Sequence, residues 1–330
     1  MKSLSKQMKF WLLAAGLGAL ATPALAVDMP GPLVDVPWLL AHRNEVQVVE
    51  VRSDLETFTQ EPELGKPDAA GRRSVVKAAG QIPGSLPLDF SKVRVDREVN
   101  GVKAKLMLPG REAFQQLVRD AGVRAGMPIV IASLGQDVTD LDEAARLYWQ
   151  FKVYGEDHLA LLDGGTAAWI AAGQAVVKRG SAPAAGDWMA GALRGGLVAT
   201  SEDVARASLH GGVQLVDARS LPQYYGISKK PVVASFGHIA GARPLSPELL
   251  THEDHGVVHF NSAATFRDLM SQLGFDPKAS TITYCNTGHL AAGAWFSLSE
   301  IGGNHEVSLY DGSMHLWSLE KRPVVEVARQ

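Results

Sequence analysis

The sequence predicts an α/β protein of two similar domains, each a mainly parallel sheet flanked by helices. Three observations predict it. The 330 residues are 46% hydrophobic and 20% charged, which is ordinary globular composition with enough length for two cores. Short β-branched runs alternate with helical periodicities, the pattern of a parallel sheet covered on both faces. The chain is also written twice. Phe114, Leu117, Gly122 and Ser133 recur as Phe266, Leu269, Gly274 and Cys285, at one constant offset. Asp163-Gly164-Gly165 and Trp169 match Asp311-Gly312-Ser313 and Trp317. Val49-Glu50-Val51-Arg52 matches Val216-Asp217-Ala218-Arg219. Gly80-Gln81-Ile82-Pro83-Gly84 matches Gly237-His238-Ile239-Ala240-Gly241.

The elements follow in order. Residues 1–26 read as an export signal, with Lys2, Lys6 and Lys9 before an apolar run from Phe10 to Leu20 that is short for a bilayer span. Ala24-Leu25-Ala26 predicts cleavage after Ala26. The mature protein is expected to be exported, to the periplasm if the host is Gram-negative, with no membrane association afterwards. Residues 33–178 form the first domain, 179–196 a Gly-, Ala- and Pro-rich linker, and 197–326 the second domain. In the second domain Ser201 to Leu209 is a helix with Thr200 as N-cap, and Val213 to Val216 is a buried strand. A helix spans Ala264 to Leu273, a strand Ser280 to Tyr284, a helix Leu290 to Ile301 and a strand Val307 to Tyr310. Cys285 falls at the carboxyl end of its strand, where open α/β sheets bind ligands.

Cys285 is the one cysteine, so neither an intramolecular disulfide nor a cysteine-built zinc site is available. The net charge of -3 carries no basic footprint for nucleic acid. No metal and no cofactor are expected. His252, Glu253, Asp254, His255 and His259 lack regular metal-ligand spacing and read as a polar surface loop. The segment Cys285-Asn286-Thr287-Gly288-His289-Leu290 turns from strand to helix. Such a turn aims backbone N–H groups at one point and favours a thiolate. The chemistry it suits is nucleophilic attack by sulfur.

The Asp-Ala-Arg strand, the Gly-His-Ile-Ala-Gly-Ala turn, the Cys285 loop and Asp311-Gly312-Ser313 with Trp317 together resemble the tandem-domain rhodaneses, exported sulfurtransferases of the thiosulfate or 3-mercaptopyruvate type. The resemblance implies two rhodanese-like domains, the first inactive and the second catalytic. It implies Cys285 as the nucleophile that stores a persulfide, cradled by the loop Asn286, Thr287, Gly288, His289 and Leu290. Sulfane sulfur would pass from a donor such as thiosulfate to cyanide or a thiol, with a sulfur-accepting protein as another acceptor. Ser133 stands at the matching position of the first domain and cannot carry a persulfide; Asp137 adds a negative charge there. Asp217, Arg219, Gln223 and Arg243 are the remaining pocket candidates, with the Asp217–Arg219 pair mainly structural. Gln223 stands where relatives often carry a substrate-binding arginine. His289, if protonated, would hold an anionic donor and favour the thiolate. Two alternatives remain: a persulfide carrier without turnover, and a cysteine phosphatase, which needs an arginine where Leu290 and Ala291 stand.

Overall fold

The computed structural model describes residues 27–178, 180 and 183–328. The expected signal segment lies outside the described residues. The first sheet runs, in spatial order, Leu33–Val34, Leu159–Leu162, Ile129–Ala132, Gln47–Arg52 and Leu86–Asp89, every pair parallel. The second repeats that order with Val198–Ala199, Val307–Tyr310, Thr281–Tyr284, Gln214–Asp217 and Ala242–Pro244. The repeats therefore share one topology. Their central strands are buried along their whole length, as strands covered by helices on both faces must be.

Local chemistry sets the helix ends. Thr200 caps the helix Ser201–His210 through a capping box with Asp203. Asp137 does the same with Asp140 for the helix Val138–Val153. The expected single helix from Leu290 is α-helical over Leu290–Phe296 and continues as a π-helical turn over Ser297–Ile301. Trp169 and Trp317 are buried, and each indole N–H donates to a carbonyl six residues on, Ala175 and Pro323. Their recurrence thus reflects packing with a satisfied polar edge.

The two domains dock through exchanged β-hairpins. Val95–Val99 pairs with Val102–Met107, turning at Asn100-Gly101. Thr251–Asp254 pairs with Val257–Phe260, turning at His255-Gly256. All four turn residues have φ between 51° and 77°, the left-handed geometry of a tight hairpin turn. Ala104 and Met107 of the first hairpin join the core formed by Leu215, Ile282, Tyr284 and Trp317. The second hairpin, expected as a polar surface loop, lies against the first domain. Val258 N–H donates to the Gly135 carbonyl, and His259 Nδ1 is 3.0 Å from Asp163 Oδ2. Across the interface the helices Val138–Val153 and Leu290–Phe296 meet, with Tyr148 edge-on to Phe296 at 5.1 Å. Within the segment between the domains Trp188 is buried, edge-on to Phe114 and Phe151.

Candidate active site

Cys285 follows the strand Thr281–Tyr284 and is 1% exposed. Its carbonyl accepts from Met314 N–H, and the Asn286 carbonyl accepts from His315 N–H. The first domain copies both bonds, from Thr166 to Ser133 and from Ala167 to Leu134. One feature is not copied. Ser313 Oγ accepts from the amides of Cys285 and Gly288, both at 3.0 Å, and donates to the Tyr310 carbonyl. The equivalent in the first domain is Gly165, with a similar backbone (φ 54° against 49°). A left-handed serine is strained, and the strain is kept where the side chain pins the cysteine loop.

With those two amides satisfied by Ser313, the amides of Asn286, Thr287 and His289 have no protein acceptor among the described residues. Gly288 makes the turn possible. Its φ is +71°, and a Cβ there would lie 2.5 Å from Arg146 Nη1 and 2.9 Å from the Asp311 carbonyl oxygen.

Two first-domain arginines border this loop. Arg146 is fully buried, donates to the Gly288 carbonyl at 3.0 Å and pairs with Asp311 at 2.6 Å. Arg94 places Nη1 3.5 Å from Thr287 Oγ1 and lies over the Phe90 ring at 4.6 Å. Burial, and next the like charge of Arg146, pull Arg94 down to about 10, so it stays cationic at neutral pH.

The other sequence candidates divide. Gln223 is at the site: its Oε1 accepts from Asn286 Nδ2 at 2.7 Å. Asp217 and Arg219 form a fully buried pair, and Arg219 also donates to the Gly237 carbonyl, tying the sheet to the next loop. Arg243 is not brought to the loop; it caps the end of the helix Ala263–Gln272 through the Leu273 and Gly274 carbonyls and stacks on Phe275. Leu290 begins the following helix, and its side chain packs against the apolar cluster that includes Cys285.

The condition set on His289, that its ring be protonated, is not favoured by its surroundings. Its ring stacks against Phe90 at 4.8 Å, and its Nε2 is buried without a partner. Burial, then the charges of Arg94 and Arg146, push its pKa down to about 3. The imidazole is neutral at any working pH. Accordingly, no limb of the pH dependence of kcat/KM between about pH 5 and 8 should belong to it, and His289→Gln should leave the apparent pKa values in place. A limb that disappears in this variant would contradict the buried, neutral ring.

Glu143 lies three residues before Arg146 on the same helix. Burial raises its carboxyl to about 7 despite hydrogen bonds from Ser53. A raised folded pKa means that stability is greatest below the unfolded value of ~4.5 and is lost as pH rises toward 7. Glu143→Gln should remove that slope, gaining on the wild type by up to roughly 3 kcal/mol across the window. Denaturant unfolding at several pH values checks it; parallel curves for the two proteins would refute it.

Sequence reasoning missed Arg94, Arg146 and Ser313. The contrast of Asp-Gly-Ser with Asp-Gly-Gly was the available sign for Ser313. Nothing local marks the arginines, which arrive from the other domain.

Comparison with known proteins agrees with this geometry. The rhodanese-like domain family matches residues 200–320. SseB of Mycobacterium tuberculosis is 30% identical over 253 residues, covering 74% of this chain and 83% of SseB. The human 3-mercaptopyruvate sulfurtransferase is 29% identical over 225 residues, covering 66% of this chain and 71% of the relative. The crystal structure of SseA from Escherichia coli, a rhodanese-fold protein, superposes with a TM-score of 0.69 at 21% identity, covering 86% of this chain and 98% of SseA.

Proposed function

This chain belongs to the rhodanese family and is a sulfurtransferase; from that premise we propose that Cys285 is its nucleophile and thiosulfate its donor. The observation that carries this is the Cys285 loop, whose Asn286, Thr287 and His289 amides lack acceptors among the described residues, beside a thiol at a strand end. The thiolate attacks the outer sulfur of thiosulfate. A Cys285 S–S bond forms, the donor's S–S bond breaks, and sulfite leaves with the electron pair. The persulfide anion then gives its terminal sulfur to cyanide, forming thiocyanate and restoring the thiolate, or to a thiol acceptor. The loop amides serve to hold the negative terminal sulfur.

The first domain, with Ser133 in place of the thiol, is non-catalytic in this reading and acts as the wall of the second domain's site. We also propose that the chain is exported and cleaved after Ala26. Among the described residues no helix is long and apolar enough to cross a membrane.

Intact mass after incubation with thiosulfate tests the reading: the protein should gain one sulfur, ~32 Da, and lose it to cyanide. Steady-state thiocyanate production separates a turning-over enzyme from a persulfide carrier. No mass gain from thiosulfate would overturn the donor assignment.

A further inference from the structure

We propose that Arg94, contributed by the first domain, is the residue that binds the donor's anionic group at the Cys285 loop, so that the working site is composite. The inference rests on the sulfurtransferase reading above and names the group that recognises the substrate. Among the described residues, the second-domain side chains weighed for this place are neutral or engaged elsewhere. Gln223 is neutral and engaged with Asn286. Arg219 is consumed by Asp217 and the Gly237 carbonyl, and Arg243 by the Leu273 and Gly274 carbonyls. Arg146 is neutralised by Asp311.

Arg94 differs from all of these. Among the described residues no carboxylate lies within ion-pair distance of it, and its Nε, like that of Arg146, is buried without a hydrogen-bond partner. Among the described residues its side chain has one hydrogen bond, the long one to Thr287 Oγ1 inside the cysteine loop. The guanidinium carbon lies 4.6 Å from the centre of the Phe90 ring, and the planar fork of N–H groups suits a planar or tetrahedral oxyanion. An unpaired, partly buried guanidinium is costly unless something anionic completes it. Cys285, and with it Asp311 and Glu143, is close enough to act on it electrostatically, though neither carboxylate is within ion-pair distance. An anion bound there would place a sulfonate or carboxylate on Arg94 and its sulfane sulfur toward the thiol. The near-complete burial of Cys285 restricts such donors to small ones.

Steady-state kinetics with thiosulfate and cyanide test this on the full chain. Arg94→Gln should raise the KM for thiosulfate about tenfold or more, the scale of a lost charge-assisted pair. The kcat should change far less, and Arg94→Lys should keep part of the affinity. Gln223→Arg, added to Arg94→Gln, should bring KM back down, because it returns a cation to the loop from the other side. A purely structural role for Arg94 would not be rescued from another position. An unchanged KM in Arg94→Gln, a loss confined to kcat, or no recovery in the double variant overturns the proposal. If Arg94→Gln does not fold, Arg94→Lys decides: an unchanged KM overturns it. Wild-type protein that gains no sulfur from thiosulfate would instead sink the underlying functional reading.

Discussion

Replacing Cys285 with serine is expected to abolish sulfur transfer completely, together with the ~32 Da adduct. A hydroxyl does not ionise near neutral pH and forms no persulfide, so no slower version of the reaction survives. The chain carries its own control, since Ser133 occupies the same place at the end of Ile129–Ala132 and keeps the same carbonyl contacts. Folding should persist. The thiol is buried among apolar neighbours, and a hydroxyl put there costs on the order of 1–3 kcal/mol if it finds no partner. Cys285→Ala removes that cost and should be equally inactive. Thiocyanate formation from thiosulfate by either folded variant, at any rate near wild type, would mean that Cys285 is not the sulfur carrier.

Arg146→Met is expected to destabilise the protein by about 3–5 kcal/mol, the usual consequence of leaving one partner of a buried ion pair alone. Arg146 is fully buried, and Asp311 nearly so. The same change removes the bond to the Gly288 carbonyl and so slackens the cysteine loop. Asp311 retains the Leu108 amide at 2.6 Å, a contact that also crosses the domain interface. Arg146→Met combined with Asp311→Asn should therefore cost less than the two single changes added together, since the orphaned charge is gone. Denaturant unfolding of the four proteins measures this coupling. A single-variant loss under about 1 kcal/mol, or strict additivity, would show that the pair contributes little.

The hairpin exchange ties the first domain, which carries Ser133 in place of a thiol, to the second domain's core. The first hairpin buries Ala104 and Met107 in the second domain's core and sends the Lys105 amide to His315 Nε2. Arg94 immediately precedes that hairpin, so docking fixes its position on the loop. The reciprocal hairpin covers the Ser133 loop, where Val258 and His259 meet Gly135 and Asp163.

The sequence by itself determined the duplication, the alternation of strand and helix, the capping of Ser201–His210 and the seat of Cys285 at a strand-to-helix loop. These are short-range matters: hydrophobic period, cap chemistry and turn residues act over a few positions, and the repeat lets each half check the other. It also marked the structural character of Asp217 and Arg219, whose contact spans two residues. Tertiary structure alone decided which charges border the cysteine loop. Thr287 and Arg94 are 193 residues apart, and only the docking of two domains brings them together. His289 is a candidate only if protonated; it packs against Phe90, and burial, then the charges of Arg94 and Arg146, hold its pKa down to about 3. Arg243, near in sequence to the pocket motif, is drawn off by the carbonyls of a helix end. Periodicity reports which face of an element is buried, but the direction of a long charged side chain depends on the acceptors that folding places within its reach.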